Sequence, residues 1–142
     1  MFRGTLDSRL WAIDAATGKT VGQYAVGDLE QGESFSAAPQ IYQGLVIMAP
    51  AGSDWGIRGM AFDADSGREV WRSYTIPRGD EPGASPCKDP ESARYGGGGS
   101  WTPFTLELAA GEVFVPVGNP APDLLPGTRP GEKLHTRQSG RA

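Results

Sequence analysis

The residues in this chain that could do chemistry are few, and their types narrow the possibilities early. There is one cysteine, Cys87, and one histidine, His135, in 142 residues. A lone cysteine excludes an internal disulfide, and with a single histidine it excludes a Cys/His zinc site, so any metal must sit on oxygen ligands. Serine–histidine–aspartate catalysis would depend on His135 alone, close to the end of the chain. No base motif surrounds Cys87, so it reads as a free thiol rather than a nucleophile. The remaining conspicuous grouping is Gly96-Gly97-Gly98-Gly99-Ser100-Trp101. With no following Lys-Ser/Thr and no βαβ context it is not a phosphate loop. Four glycines before a tryptophan do permit close backbone approach to a flat ligand.

The elements that position these residues follow from composition. The chain has 21 Gly and 12 Pro, the two worst helix formers, which argues for short strands joined by tight turns. No apolar run approaches the ~18 residues of a membrane helix. The opening stretch Met1–Asp14 has no continuous apolar segment of the kind a secretory signal requires. With 13 Lys+Arg against 17 Asp+Glu the net charge is −4, a poor basis for binding nucleic acid.

An internal repeat sets the period. Residues 12–21, AIDAATGKTV, align without gaps on residues 61–70, AFDADSGREV, an offset of 49 residues with five identities in ten. Each copy reads as strand, turn, strand, with Gly18 or Gly67 at the turn position that needs positive φ. Residues 38–48 and 105–115 also read as strand–turn–strand, the latter around Ala109-Ala110-Gly111. Four strands per ~45–50 residues is the period of a β-propeller blade. The chain length then gives about three blades, whereas rings close with roughly four to eight. The expected fold is all-β, with four-stranded antiparallel blades over residues 1–134 in an incomplete ring. A proline-rich segment at 77–95 reads as a loop insertion, and residues 135–142 as a polar tail where another apolar strand would be expected. A shifted reading frame would produce such a tail, which sequencing the DNA beyond codon 142 would test.

The pattern A-x-D-x-x-[ST]-G-x-x-V-W resembles the tryptophan-docking repeat of quinoprotein alcohol dehydrogenases, eight-bladed propellers that use pyrroloquinoline quinone (PQQ). The segments Ser34–Pro39, Ala51–Gly59, Gly97–Trp101 and Val117–Pro122 are similar to that family in order and spacing. The resemblance implies a PQQ site with Ca²⁺ as Lewis acid. Trp101 would stack on the cofactor ring, Ser36, Gly52, Ser53 and Asp54 would line its pocket, and Asp54 and Asn119 would hold the ion. Asp54 stands where these dehydrogenases usually carry Glu. The residues alone also admit blade packing for Trp101 and turn roles for Asp54 and Asn119. Trp71, inside the repeat, reads as blade packing.

The resemblance further implies oxidation of an alcohol-type substrate, with a cytochrome or quinone as electron acceptor and a periplasmic location. The family's catalytic Asp, its third metal ligand and its paired cysteines have no counterpart here, so no catalytic residue is assigned and the isolated chain is expected not to turn over. Gly22 stands where the first repeat would carry its Trp, which predicts a less well packed blade joint. The competing reading is a PQQ-like propeller serving as a scaffold without cofactor.

Overall fold

The computed structural model describes residues 1–52, 58–76, 97–119 and 139–141. Apart from a 3₁₀ turn at Leu29–Gln31, the regular elements described are strands: β1 (Phe2–Gly4), β2 (Arg9–Ile13), β3 (Thr20–Ala25), β4 (Gln40–Tyr42), β5 (Leu45–Met48), β6 (Arg58–Asp63), β7 (Glu69–Tyr74), β8 (Thr105–Glu107), β9 (Glu112–Pro116) and β10 (Ser139–Arg141). They form three antiparallel sheets in the orders β1-β2-β3, β4-β5-β6-β7 and β10-β9-β8. The middle sheet has the four strands expected of a blade. Each flanking sheet has three among the described residues.

The 49-residue repeat is a repeated hairpin. β2–β3 and β6–β7 have the same register, with Ala12 opposite Gly22 and Ala61 opposite Trp71, and both carry a bulge at the next position. The turn is built identically twice. Asp14 Oδ1 accepts from the Thr17 amide at 2.7 Å and the Thr17 hydroxyl at 2.7 Å. Asp63 Oδ1 accepts from the Ser66 amide at 2.8 Å and the Ser66 hydroxyl at 2.6 Å. Gly18 and Gly67 then take φ of 71° and 69°. Those hydrogen bonds, the one to the hydroxyl foremost, favour the charged carboxylate and hold both aspartates below their ordinary pKa.

The sheets stack face to face, and the middle one is covered on both sides. Alternation along β5 and β6 sends Val46, Met48, Met60 and Phe62 toward the first sheet, where they meet Leu10, Val26 and Phe35. Ile47, Ala49 and Ala61 face the third sheet and pack with Phe104, Val113 and Val115. This is why Leu45-Val46-Ile47-Met48 reads as an unbroken apolar run rather than an alternating one. Val46 and Met60 are fully buried, each worth about 1.5–3 kcal/mol in area removed from water.

The Gly22 joint is not a gap. An ideal Cβ on Gly22 would meet the Tyr24 hydroxyl at 2.6 Å and its ring carbons at 2.9 Å, and one on Gly67 would come within 2.3–2.5 Å of carbons of the same ring. Tyr24 therefore spans from its own strand to the turn of the next sheet, and it packs against the first core. The missing indole is replaced by a phenol two residues further along. A second tyrosine bridges the next pair of sheets: the Tyr42 hydroxyl donates to the Leu108 carbonyl at 3.2 Å. The polar tail also enters the fold, since Ser139–Arg141 pairs with Phe114–Pro116. A ladder of main-chain hydrogen bonds requires no apolar side chains, so polarity did not exclude a strand there. The 77–95 insertion lies outside the described residues.

Candidate functional site

The site is built from segments that leave the strands at one end of the stack. After β7 the chain passes through Thr75 and Ile76, both buried. The glycine run packs on them: Thr75 Oγ1 donates to the Gly98 carbonyl at 3.0 Å, and a Cβ on Gly98 would come within 2.8 Å of that same hydroxyl oxygen. Gly97 and Gly98 have φ of 79° and 77°, a region that disfavours residues with a side chain. On its other side the run meets the exit of β9. Gly98 N–H donates to the Asn119 carbonyl at 2.8 Å, and Gly118 N–H to the Gly99 carbonyl at 2.9 Å.

This frame delivers two side chains of opposite character. Trp101 is 59% exposed. Trp71, by contrast, is partly buried against the second core. The main chain of Trp101 is tied down: the Ser36 hydroxyl donates to its carbonyl at 3.1 Å. A Cβ on Gly118 would lie 3.7 Å from the Trp101 indole nitrogen and 3.0 Å from the Gly99 carbonyl. Ser100, by contrast, is fully buried, and its hydroxyl has no hydrogen-bond partner among the described residues. A buried hydroxyl without a partner is costly.

The sequence-derived residues divide as follows. Ser36, Trp101 and Asn119 come together around the glycine run through the contacts above. Gly52, at φ 112°, sits against the Gly32 carbonyl, which a Cβ there would approach to 2.5 Å. It joins the others through the paired Ser34 and Ala51, whose amide–carbonyl bonds measure 2.6 and 3.2 Å. Asn119 is exposed. Ser53 and Asp54 lie outside the described residues, and so do Cys87 and His135. Among the described residues no group of three or more His, Cys, Asp or Glu side chains gathers as a metal cluster would. No helix among them is long and apolar enough to cross a membrane.

A planar ring fits what is present. Trp101 offers an open aromatic face. The glycines leave room beside the indole that side chains would fill, as the 3.7 Å from a Gly118 Cβ to its nitrogen shows. The burial of Ser100 is not legible in the sequence, because serine is common in loops.

The model of the PQQ family, described as the glucose/ethanol/alcohol dehydrogenase β-propeller domain, matches residues 1–138. The chain belongs to this family. The match runs past residue 134, where the sequence resemblance fades. The chain is 35% identical over 137 residues to the quinohemoprotein alcohol dehydrogenase ADH IIB of Pseudomonas putida, covering 86% of this chain and 19% of that protein. It is 30% identical over 136 residues to subunit 1 of the cytochrome c methanol dehydrogenase of Methylorubrum extorquens, covering 82% and 22%. Among solved structures, the quinohemoprotein alcohol dehydrogenase of Comamonas testosteroni superposes with a TM-score of 0.69 at 29% identity, over 85% of this chain and 20% of that one. A europium-containing methanol dehydrogenase gives 0.72 at 23% identity, a likeness of fold, over 84% and 24%. The quinoprotein chain described here thus spans about a fifth of the length of the relatives it matches.

Proposed function

We propose that this chain is the cofactor-binding sector of a PQQ-dependent dehydrogenase acting on an alcohol-type substrate. The observation that carries the reading is Trp101, exposed at the end of the stack while its backbone is held by Ser36 and the glycine run is fixed by Thr75 and Asn119. A scaffold propeller has no use for an indole presented in this way. Trp101 would stack on the cofactor ring. Ser36, Gly52 and Ser53 would line the pocket edge. Asp54 and Asn119 would supply oxygen donors for Ca²⁺, a hard cation suited to a carboxylate and an amide oxygen. When bound, PQQ supplies a two-electron quinone couple, with the cation as Lewis acid.

The whole protein would pass electrons to a cytochrome or a quinone, as the names of its relatives suggest for them, and would work in the periplasm. The 142 residues contain no counterpart of the family's catalytic carboxylate, so turnover by this chain alone is not expected.

Titration of the chain with PQQ, with and without calcium, tests the reading through tryptophan fluorescence. Saturable quenching that Trp101→Ala abolishes is the expected result. A flat titration in both conditions would favour a scaffold. Sustained dye-linked alcohol oxidation by the isolated chain with PQQ and calcium would overturn the expectation of no turnover.

A further inference from the structure

Glu33 is a carboxylate that the cofactor site does not use, yet it is 2% exposed. Burying a charged group is costly unless specific hydrogen bonds hold it. One Glu33 carboxylate oxygen accepts from the Asp28 amide at 2.7 Å, and the Glu33 amide donates back to the Asp28 carbonyl at 3.1 Å. The Ser8 hydroxyl, itself buried, donates to the Glu33 carbonyl. Gly27 is glycine for the same reason: a Cβ there would sit 2.9 Å from the Glu33 carboxylate. Side chain, amide and carbonyl of one residue are therefore all fixed.

The residues on either side of Glu33 lead to both parts of the site. Gly32 backs Gly52, and Ser34 pairs with Ala51. Three residues on, about 10 Å of extended chain, the Ser36 hydroxyl holds the Trp101 carbonyl. Between them Phe35 is buried and its amide donates to the Thr5 carbonyl at 3.0 Å. Ser34 and Phe35 hold the middle of the segment, and Glu33 anchors its start from the Asp28 side.

We infer that Glu33 is a positioning residue, whose buried carboxylate sets the course of the Gly32–Ser36 segment and through it the placement of Trp101 and Gly52. The inference rests on the cofactor reading for its binding consequence, and on geometry alone for its structural one. The competing role is local closure of the Asp28–Gly32 turn, which Asp28 also serves by accepting from the Glu30 amide at 3.0 Å and the Gln31 side chain at 2.9 Å.

The experiment uses the full chain labelled with 5-fluorotryptophan, with the Trp101 signal assigned as the one lost in Trp101→Phe. Glu33→Ala shifts or broadens that signal and raises the Kd for PQQ by up to about tenfold, the loss expected when stacking on Trp101 is forfeited. Glu33→Gln keeps an oxygen for the Asp28 amide and restores most of both. Asp28→Ala loosens the turn but retains the amide that meets Glu33, and it leaves Trp101 in place. A folded Glu33→Ala chain with unchanged signal and Kd would overturn the inference, as would an equal effect of Asp28→Ala. Should Glu33→Ala fail to fold, Glu33→Asp, which withdraws the carboxylate from the Asp28 amide, carries the test on the same signal, and an unmoved Trp101 there is equally fatal. If the parent chain binds no PQQ, the cofactor reading fails, while the fluorine signal still decides the positioning role.

Discussion

Trp71 and Trp101 are the same residue in one short chain, and the fold uses them in opposite ways. Trp71 lies on β7 opposite Ala61 and packs against the second core. Trp101 follows two glycines at positive φ and is 59% exposed. The difference lies in what precedes each. A strand with a regular partner directs an indole at the neighbouring sheet, whereas glycines at positive φ carry the chain out of the ladder and leave the indole facing outward. Burial makes one tryptophan a structural contact, and its absence makes the other available to a ligand.

Substitution at both positions should separate stability from binding. Trp71→Ala is expected to cost roughly 2–4 kcal/mol, read as a lower midpoint in denaturant. Trp101→Ala should change the midpoint by no more than about 0.5 kcal/mol. An equal loss at the two positions would break the comparison.

Tyr24 provides the next test, because it does for the first joint what an indole would otherwise do. Tyr24→Ala should cost about 2 kcal/mol by opening the space between Gly22 and Gly67. Gly67→Ala should cost roughly 1–3 kcal/mol, since the new Cβ adds ring overlap to a φ of 69°. The two should be non-additive when combined, because removing the ring removes the overlap.

The binding side of the comparison carries a smaller effect. Trp101→Ala should weaken PQQ about tenfold, the loss of about 1.5 kcal/mol of stacking. Gly118→Ala should weaken it less, by crowding the indole nitrogen at 3.7 Å, while leaving the cooperative transition in place. Competitive titration on both variants reads the order directly, and Gly118→Ala exceeding Trp101→Ala would refute it.

The smallest effect is electrostatic. Asp14 and Asp63 are held below their ordinary value of 3.8, chiefly by the hydroxyls of Thr17 and Ser66. Their contribution is complete above that value and fades as pH falls through the depressed folded values. Chains carrying Asp14→Asn and Asp63→Asn should therefore show a flatter loss of stability below about pH 4. Parallel acid limbs for the parent and the double variant would remove these carboxylates from the pH response.

The amino-acid sequence by itself determined the local pieces. The spacing of Asp, Ser or Thr, and Gly is enough to write the turn after β2 and after β6, because a short side chain satisfies the turn amides without outside help. The 49-residue offset is likewise a property of the chain, and it carries the blade period and the family pattern. Trp101 stood out for the glycines before it.

Other features were decided only by tertiary structure. Gly22 looked like a packing defect until the Tyr24 ring was seen crossing to Gly67. Nothing in the sequence marks the burial of Ser100 or Glu33. Burial arises when segments distant in sequence close over a position, so neither the orphaned hydroxyl nor the buried carboxylate can be read from its neighbours. The exposure of Trp101 belongs here too. A tryptophan reads the same in sequence whether it packs in a core or stands open, and only the arrangement of sheets around it decides which.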